Sequence, residues 1–471
     1  MRKLFDKLSI YTDFYQFTMA QGYFENGMQN SPTAFDYFFR RNPFGGGYTI
    51  FCGLENLIDI LENYQFDTDV LRYLKEQGFK QTFVDYLAEF KFKANIYAPN
   101  EGEVVFANEP VIRVEGNLIE CQLVETLLLN LINFQSLIAT KASRIRKVAG
   151  QKTFVDFGLR RAQGWSGMHA SRAAVIGGAD SSSNVLAGYY HGIPLNGTLG
   201  HSWIQSFENE LTAFEKFAET YPNNCILLVD TYNTLESGVP NAIKIAKQMQ
   251  SKRHKLNGIR LDSGDLAYLS RKARKMLDTE GLTEVKIYAS NQLDEYLIRS
   301  LNEQGAPIDG YGVGTNLITA YNEPALDGVF KMCMVNNKPS MKISNDLFKT
   351  TLPGLKKIHR YFDEEGNFYR DCILLKDEVN TDVIHSPIFA EQNTNVKGLV
   401  KEDLLYPAME NGRRARQKQS IEEIKNYVKN RLALLPQYHQ RFENPHTYKV
   451  GISPSLMKMR NEIVKRRSTS S

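Results

Sequence analysis

One pattern recurs between residues 150 and 315 and constrains the fold more than any other feature of the sequence. A short β-rich run is followed by a polar or glycine-rich turn and then by a segment with helical apolar spacing. This alternation predicts parallel strands joined by crossover helices. Because polar residues stand where each run ends, we expect a closed or nearly closed α/β barrel with its site at the carboxyl ends of the strands. A doubly wound open sheet is the alternative. The predicted strands are 153–157, 193–195, 225–229, 258–261, 285–289 and 308–313.

The regions on either side of the predicted barrel have different patterns, so we expect three domains. An N-terminal α+β domain over 1–140 contains a helix over 13–23, short alternating strands and the start of a long apolar helix over 117–148. The barrel domain covers 141–345. A C-terminal extension, mixed and then helical, covers 346–471.

The sequence around the C-terminal extension predicts three local features. The runs 328–335 and 340–343 are typical of a hairpin. Ser420 and Glu423 form a capping-box pattern at the start of a helix that Pro436 ends. We expect residues 465–471 to be a disordered tail.

Composition and charge exclude several classes of function. A net charge of +4 over 471 residues is too small to indicate nucleic-acid binding. The basic run 413–418 has no interleaved aromatic residues, so we interpret it as a solvated face. The N-terminus lacks the apolar core of a signal peptide, and polar residues interrupt the apolar run 123–138. We therefore expect a cytoplasmic protein with no nucleic-acid or membrane partner.

The five cysteines are far apart in the sequence and form no metal-ligand spacing, so buried, reduced thiols are expected. They are Cys52, Cys121, Cys225, Cys333 and Cys372.

Charged side chains follow several predicted strands. Arg160 and Arg161 lie in a glycine-bounded turn and could hold a carboxylate or phosphate with forked donors. Residues two apart in a strand point to the same side, so Arg260 and Asp262 would lie together. The Arg260 guanidinium and the Asp262 carboxylate suit a ribose diol or a magnesium ion.

Two further turns contain small and hydroxyl residues immediately before helices. Ser290 begins one of them, and Gly314 and Thr315 belong to the other. Backbone N–H groups at such places can hold a phosphate. Each turn alone is common, but together they predict a site for an anionic sugar phosphate.

His201 lies between a glycine-rich turn and a segment with helical spacing. Two nearby glycines let the backbone approach a ligand, and Thr198 or Ser202 could donate a hydroxyl. From the residues alone, His201 could be phosphorylated, act as an acid or base, or simply be a hydrogen-bonded loop residue.

Five motifs in the same order resemble those of the nicotinate phosphoribosyltransferase family. They span about Tyr11 to Ile343. The motifs are Tyr-Thr-Asp-Phe-Tyr-Gln-Phe-Thr-Met at 11–19, Phe-Gly-Leu-Arg-Arg-Ala-Gln-Gly at 157–164, Gly-Thr-Leu-Gly-His-Ser at 197–202, Arg-Leu-Asp-Ser-Gly-Asp at 260–265 and Gly-Val-Gly-Thr at 312–315.

The resemblance implies an irregular TIM-like α/β barrel of the type II phosphoribosyltransferase kind, in a homodimer with shared active sites. It implies that nicotinate displaces pyrophosphate from phosphoribosyl pyrophosphate for NAD salvage, with Mg²⁺ and with ligase-type coupling to ATP hydrolysis. His201 would then be the phosphorylated residue of a phosphoprotein.

The same resemblance implies binding roles for other residues. Tyr15, Thr198 and Arg260 match positions that bind nicotinate, with Arg160 or Arg161 nearby, and Thr315 matches a position that binds the ribosyl 5-phosphate. Asp262 would meet the ribose or magnesium. Arg40, like Tyr15, would reach across the dimer, and Lys331 and Lys342 are weaker candidates.

Three other interpretations stay open. A nicotinamide-specific relative would share the barrel. A sugar-phosphate lyase or aldolase would need a Schiff-base lysine or a metal triad, and neither pattern is visible. A non-enzymatic regulator would be expected to lose His201 or the glycine turns, and both are present.

Overall fold

The computed structural model describes residues 7–343, 350–387 and 391–468. The chain divides into two units, one formed by Met1–Leu137 with Ala325–Ser471 and the other by Ile138–Pro324. We call them the flanking unit and the central unit. The predicted three-domain division stays a prediction.

The helices and strands are numbered here in chain order. Helices α1 to α16 are Phe14–Glu25, Leu54–Leu61, Thr68–Glu76, Gln81–Ala88, Leu118–Leu123, Glu125–Ala149, Ser166–Ile176, Val185–His191, His201–Gln205, Glu210–Thr220, Val239–Ser251, Leu266–Thr279, Glu295–Glu303, Thr315–Ile318, Ile421–Leu434 and Pro454–Ser468. Strands β1 to β11 are Pro32–Phe39, Thr49–Ile50, Asn95–Ala98, Val104–Val105, Ile112–Asn117, Thr153–Asp156, Ser181–Ser182, Ile226–Leu228, Gly258–Leu261, Lys286–Ser290 and Gly310–Val313. Strands β12 to β21 are Gly328–Val335, Lys338–Pro339, Lys356–Phe362, Phe368–Leu375, Val383–His385, Asn393–Asn395, Lys401–Asp403, Tyr406–Glu410, Arg413–Arg414 and Val450–Ile452.

The central unit is built on a six-stranded parallel sheet in the order β7-β6-β11-β10-β9-β8. Its strands are largely apolar and buried, as expected when helices cover both faces of a parallel sheet. Among the described residues no pairing joins the edge strands β7 and β8. The prediction of mixed α/β structure with parallel strands is confirmed, whereas a closed barrel is not found.

One predicted strand of the central unit is wrong. Residues 193–195 form no strand, and only Leu195 makes an isolated bridge, to Ser182. The strand beside β6 is instead the two-residue β7, whose two serines give no apolar run for sequence reasoning to detect.

The described residues of the flanking unit form two larger sheets and a two-stranded one. The first has the order β13-β12-β1-β5-β3-β19-β20, and its strand neighbours are antiparallel. Phe35 and Phe330 stack across β1 and β12 with ring centroids 4.8 Å apart. The second has the order β17-β16-β21-β15-β14-β18, and β2 pairs with β4. Buried apolar side chains on strands and helices, such as Phe35, Tyr37 and Leu57, form part of the core of this unit.

The predicted hairpin is correct in its first strand and wrong in its second. Asn336 and Asn337 have φ values of 49° and 58°, which suit a two-residue hairpin turn. The returning strand therefore begins at Lys338 instead of at residue 340.

Caps and helical spacing predicted several helices well. The helix predicted over 13–23 is α1, and the one predicted over 117–148 is α5 followed by α6. The Ser420–Glu423 capping box starts α15 as expected. Residues 465–468 of the predicted disordered tail belong to α16, and residues 469–471 lie outside the described part of the chain.

The basic run 413–418 is not simply a solvated face. Arg414 pairs with the carboxylates of Glu55 and Asp59. Arg416 donates to Asn100 and to the carbonyl oxygens of neighbouring residues. Both arginines therefore bind within the flanking unit.

All five cysteines are free and buried, as expected. One helical stretch, Leu118–Ala149, has the length and apolar character to cross a membrane, and 67% of its most apolar window is buried inside the protein. Burial of that kind is typical of a core helix.

Candidate active site

A cavity of about 450 Å³ opens where the strands of the central sheet end. Segments that follow β6, β7, β9, β10 and β11 contribute to its wall, together with the turn that precedes α9. The lining residues are Phe157, Leu159, Arg160, Arg161, Ser183, Gly197, Thr198, Leu199, Gly200, Arg260, Asp262, Ser290, Asn291, Gln292, Gly312, Gly314 and Thr315. We call this the strand-end cavity.

Asp156 organises the turn after β6. Its carboxylate accepts hydrogen bonds from the Gly158 backbone N–H at 2.8 Å, the Ser171 hydroxyl at 2.8 Å and the Ser182 hydroxyl at 2.7 Å. The side chain is fully buried, and this burial raises the pKa of its carboxyl although the three donors act in the opposite direction. The network fixes the start of the turn that carries Phe157 and the two arginines.

Arg160 and Arg161 lie at the end of that turn, in the single helical turn Leu159–Arg161, and both are exposed. They line the strand-end cavity, so two guanidinium groups are available to an anion there.

Arg260 on β9 is the most buried cation of this cavity. One of its terminal nitrogens, Nη1, donates to the Thr198 hydroxyl, and the guanidinium carbon lies 5.8 Å from the centre of the Phe157 ring. Burial lowers the pKa of its guanidinium, while the carboxylates of Asp262 and Asp230 act in the opposite direction. Its Nε is buried and has no hydrogen-bond partner in the described chain. The Arg260 guanidinium is therefore partly removed from solvent and keeps a hydrogen-bond donor that a ligand can use.

His201 begins α9 and contacts two polar side chains from neighbouring strand ends. Its Nδ1 lies 3.1 Å from the Thr231 hydroxyl, and its Nε2 lies 3.7 Å from the Asp262 carboxylate. The Ser290 hydroxyl donates to the other Asp262 oxygen. The His201 side chain is 40% exposed, so it is held from two sides and still open to a ligand.

Asp230, at the end of β8, supports the β9 turn. One of its oxygens accepts from the Asp262 N–H at 2.8 Å and from the Ser263 hydroxyl at 2.6 Å. The other oxygen is buried and has no hydrogen-bond partner among the described residues.

The turns after β10 and β11 bring backbone close to the cavity. Asn291 and Gln292 both have positive φ, at 86° and 51°, a left-handed conformation that is uncommon outside glycine. A Cβ on Gly312 would lie 2.4 Å from the Phe157 ring, so only glycine fits there. Gly314 precedes α14, which begins at Thr315.

Eight predicted residues of the central unit therefore line one cavity: Arg160, Arg161, Thr198, Arg260, Asp262, Ser290, Gly314 and Thr315. His201 adjoins them through Asp262. The other predicted residues belong to the flanking unit. Tyr15 lies on α1 and is 49% exposed, Arg40 follows β1, Lys331 lies on β12, and Lys342 is exposed.

Four residues that line or support the cavity were not among the predicted site residues. Asp156 and Phe157 lie in the predicted strand 153–157, and Asp230 and Thr231 directly follow the predicted strand 225–229. The available signal was their position, because each stands at or next to the end of a predicted parallel strand.

Comparisons with known proteins match this chain to one family. The family model described as the nicotinate phosphoribosyltransferase (NAPRTase) N-terminal domain matches residues 10–133, and the one for its C-terminal domain matches residues 355–460. Nicotinate phosphoribosyltransferase of Bacillus subtilis (strain 168) is 44% identical over 459 residues, covering 95% of this chain and 93% of the relative. The chain belongs to the nicotinate phosphoribosyltransferase family.

Other members of the family are similar over almost the whole chain. The Homo sapiens nicotinate phosphoribosyltransferase is 31% identical, with 96% of both chains covered. The crystal structure of human nicotinic acid phosphoribosyltransferase superposes with a TM-score of 0.87 at 29% identity, covering 96% of this chain and 99% of the human one. The Pyrococcus furiosus nicotinate-nucleotide pyrophosphorylase, at 24% identity and a TM-score of 0.72, shares the fold.

Proposed function

We propose that this protein transfers a phosphoribosyl group to nicotinate in NAD salvage. The pyridine nitrogen of nicotinate attacks the anomeric carbon of phosphoribosyl pyrophosphate, and the bond from that carbon to the pyrophosphate oxygen breaks. The products are nicotinate mononucleotide and pyrophosphate. Family membership supports this activity, and the desolvated Arg260 fork in the strand-end cavity is the observation that carries it.

The nicotinate site would lie between Phe157 and Arg260. A pyridine ring can stack on the Phe157 face, and the Arg260 guanidinium can pair with the ring carboxylate. Thr198 holds Nη1 of the same guanidinium and limits its freedom. Nicotinamide carries no charge and would leave the buried cation without an anionic partner, so the acid is preferred over the amide.

Phosphoribosyl pyrophosphate would occupy the rest of the cavity. We assign its 5-phosphate to the backbone of the turn at Gly314 and Thr315, at the start of α14, and its pyrophosphate to Arg160 and Arg161. Departure of pyrophosphate leaves positive charge on the sugar ring, so fixed donors on the leaving group and placement of the pyridine nitrogen matter more than a strong base.

His201 would couple ATP hydrolysis to this transfer. A ring nitrogen takes the γ-phosphoryl group of ATP, ADP leaves, and water later releases phosphate from the histidine. The contacts with Thr231 and Asp262 support this role, because one ring nitrogen can attack while the other keeps its partner. Phosphorylation of His201 beside Asp262 would change the charge of the phosphoribosyl pyrophosphate site. ATP hydrolysis would in this way increase the affinity of the enzyme for that substrate.

Magnesium fits the same end of the cavity. Asp230 has a buried oxygen without a hydrogen-bond partner in the described chain, and Asp262 lies on the next strand end. Magnesium commonly takes one or two carboxylates together with substrate phosphates, and no cluster of three or more His, Cys, Asp or Glu side chains that could hold a metal occurs in the described ranges. Asp230 and Asp262 would hold the ion, which when bound neutralises charge on the pyrophosphate.

We also propose a cytoplasmic homodimer with shared active sites. The central unit exposes an apolar surface on α8, where Val185 is 69%, Tyr189 is 82% and Tyr190 is 68% exposed. Phe14 and Tyr15 on α1 of the flanking unit are also exposed. Surfaces of this kind favour burial against a second copy, and Tyr15 and Arg40 would then serve the partner's site.

The first test is chromatographic detection of nicotinate mononucleotide. Purified protein, phosphoribosyl pyrophosphate and magnesium are incubated with nicotinate or nicotinamide, each with and without ATP. Product from nicotinate, increased by ATP, is the expected result. Preference for nicotinamide would identify the nicotinamide-specific relative, and the absence of nucleotide from either base would refute the proposed transfer.

The second test separates His201 from the basal reaction. His201→Ala should abolish stimulation by ATP and keep basal transfer, whereas His254→Ala, a change in the same unit outside the cavity lining, should keep both. Undiminished stimulation by ATP in His201→Ala would refute the phosphohistidine proposal.

A further inference from the structure

The flanking unit contains a second, larger cavity of about 720 Å³. Its lining residues come from that unit alone, and it shares none of them with the strand-end cavity. Its volume lies in the range of small-molecule sites. The proposed transfer reaction makes no use of it.

Two nitrogen atoms on the wall of this cavity are buried and have no hydrogen-bond partner in the described chain. They are Nε of Arg370, on β15, and Nδ1 of His385, on β16. Both strands pair with β21, so one sheet carries both groups. Leaving a buried polar atom without a hydrogen bond is unfavourable, and a ligand that accepts hydrogen bonds would remove this penalty.

The wall also carries an excess of positive charge. Asp36 already pairs with Lys356 at 2.7 Å, which leaves Glu391 as the acidic lining residue outside that pair. The cationic residues apart from that pair are Lys331, Arg370, Lys449 and Arg460. Burial lowers the pKa of the Arg460 guanidinium, so a bound anion would stabilise its charged form.

The remaining wall is apolar and partly aromatic. Phe106 and Tyr448 stack with their rings 10° from parallel, and Ile373, Ile384 and Ile452 also line the cavity. An inorganic anion would leave this surface uncovered. Four cations against one unpaired carboxylate favour a doubly charged phosphate over a singly charged carboxylate.

We propose that this cavity is a second ligand site that binds an organic phosphate of about mononucleotide size. Arg370, His385 and Arg460 hold the phosphate, and the apolar body lies against the wall that contains Phe106 and Ile384.

The test is isothermal titration calorimetry on the full-length protein, which measures its affinity for AMP as the organic phosphate and for inorganic phosphate as the second probe. Wild type is expected to bind AMP more tightly than inorganic phosphate. Arg370→Gln should weaken AMP binding by about tenfold or more, because a charge-assisted hydrogen bond is lost. Arg72→Gln, an exposed arginine of the same unit outside the cavity lining, is the matched control and should bind as wild type does.

Arg160→Gln separates the two cavities, because it removes a proposed phosphate contact from the strand-end cavity alone. AMP binding that survives Arg160→Gln and is lost in Arg370→Gln supports the proposal, as does wild-type turnover of nicotinate in Arg370→Gln. His385→Gln gives a second variant should Arg370→Gln fail to fold.

Four results would overturn the proposal. The first is no AMP binding at millimolar concentration, and the second is AMP binding that is lost in Arg160→Gln but not in Arg370→Gln. The third is equal affinity for inorganic phosphate and AMP, and the fourth is a loss of turnover in Arg370→Gln that matches its loss of AMP binding. The last would assign the cavity to the catalytic site.

Discussion

Replacing Arg260 by glutamine should remove much of the selectivity for nicotinate over nicotinamide. The side chain is half-buried, Nη1 is held by Thr198, and the buried Nε has no partner in the described chain, so the guanidinium is already positioned for the carboxylate. A hydrogen bond to a charged group contributes about 1.5–3 kcal/mol. Loss of this interaction should therefore lower kcat/KM for nicotinate by about 10- to 150-fold.

The assay is steady-state kinetics with each base at saturating phosphoribosyl pyrophosphate. Arg260→Gln should leave kcat/KM for nicotinamide nearly unchanged, because nicotinamide has no carboxylate to lose. Arg260→Lys keeps the charge without the planar fork and should fall between wild type and Arg260→Gln. Arg271→Gln is the matched control, since Arg271 is an exposed arginine of the same unit that donates to the Gln304 carbonyl oxygen.

An equal loss of kcat/KM for both bases would refute the assignment of Arg260 to the nicotinate carboxylate. It would mean that the variant damages the site as a whole or that Arg260 binds the common phosphoribosyl substrate. A thermal melt close to that of wild type separates these two cases, since a damaged fold would also melt earlier.

Three further predictions concern stability and use chemical unfolding. Asp156→Ala leaves three donors without their acceptor and should destabilise the central unit by about 3–5 kcal/mol, with Asp156→Asn losing less. Burial and the nearby Asp371 carboxylate raise the pKa of Glu109 well above its ordinary value. The stability that the protonated Glu109 contributes is therefore complete below the ordinary pKa and is lost as pH rises through the folded-state pKa. Glu109→Gln should gain stability relative to wild type as pH rises, and a pH-independent difference would contradict this. A Cβ on Gly238 would lie 1.8 Å from the Val229 carbonyl oxygen, so Gly238→Ala should destabilise by about 1–3 kcal/mol or more, and wild-type stability would contradict the close approach.

Periodicity and caps were sufficient to predict the elements with strong local signals. Strand β9 has the predicted bounds 258–261, and α15 begins after Ser420 as its capping box requires. Strand β7 could not be found in this way, because two serines have no apolar pattern. Its Ser182 hydroxyl donates to the buried carboxylate of Asp156, which lies 26 residues earlier in the chain. Local sequence signals report local structure, whereas β7 is held by a long-range network.

The same distinction applies to the candidate site. Arg160 and Arg260 were found because charged side chains after apolar runs are conspicuous. Phe157 and Asp230 were not selected, since an aromatic residue at a strand end is typical of a core and one aspartate is typical of a turn. Their roles depend on distances across the sheet, such as 5.8 Å from the Arg260 guanidinium to the Phe157 ring and 2.8 Å from Asp230 to the Asp262 N–H.

Closure of the sheet into a barrel is not needed to assemble this cavity. Strands β7, β6, β11, β10 and β9 are consecutive neighbours, and all of them are parallel, so their carboxyl ends meet at one edge. Each of the turns that line the cavity follows one of these strands, apart from the Gly197–Gly200 turn that Arg260 holds through Thr198. Although no closed barrel is found, strand direction and neighbour order alone bring an arginine fork, a carboxylate and two backbone turns together.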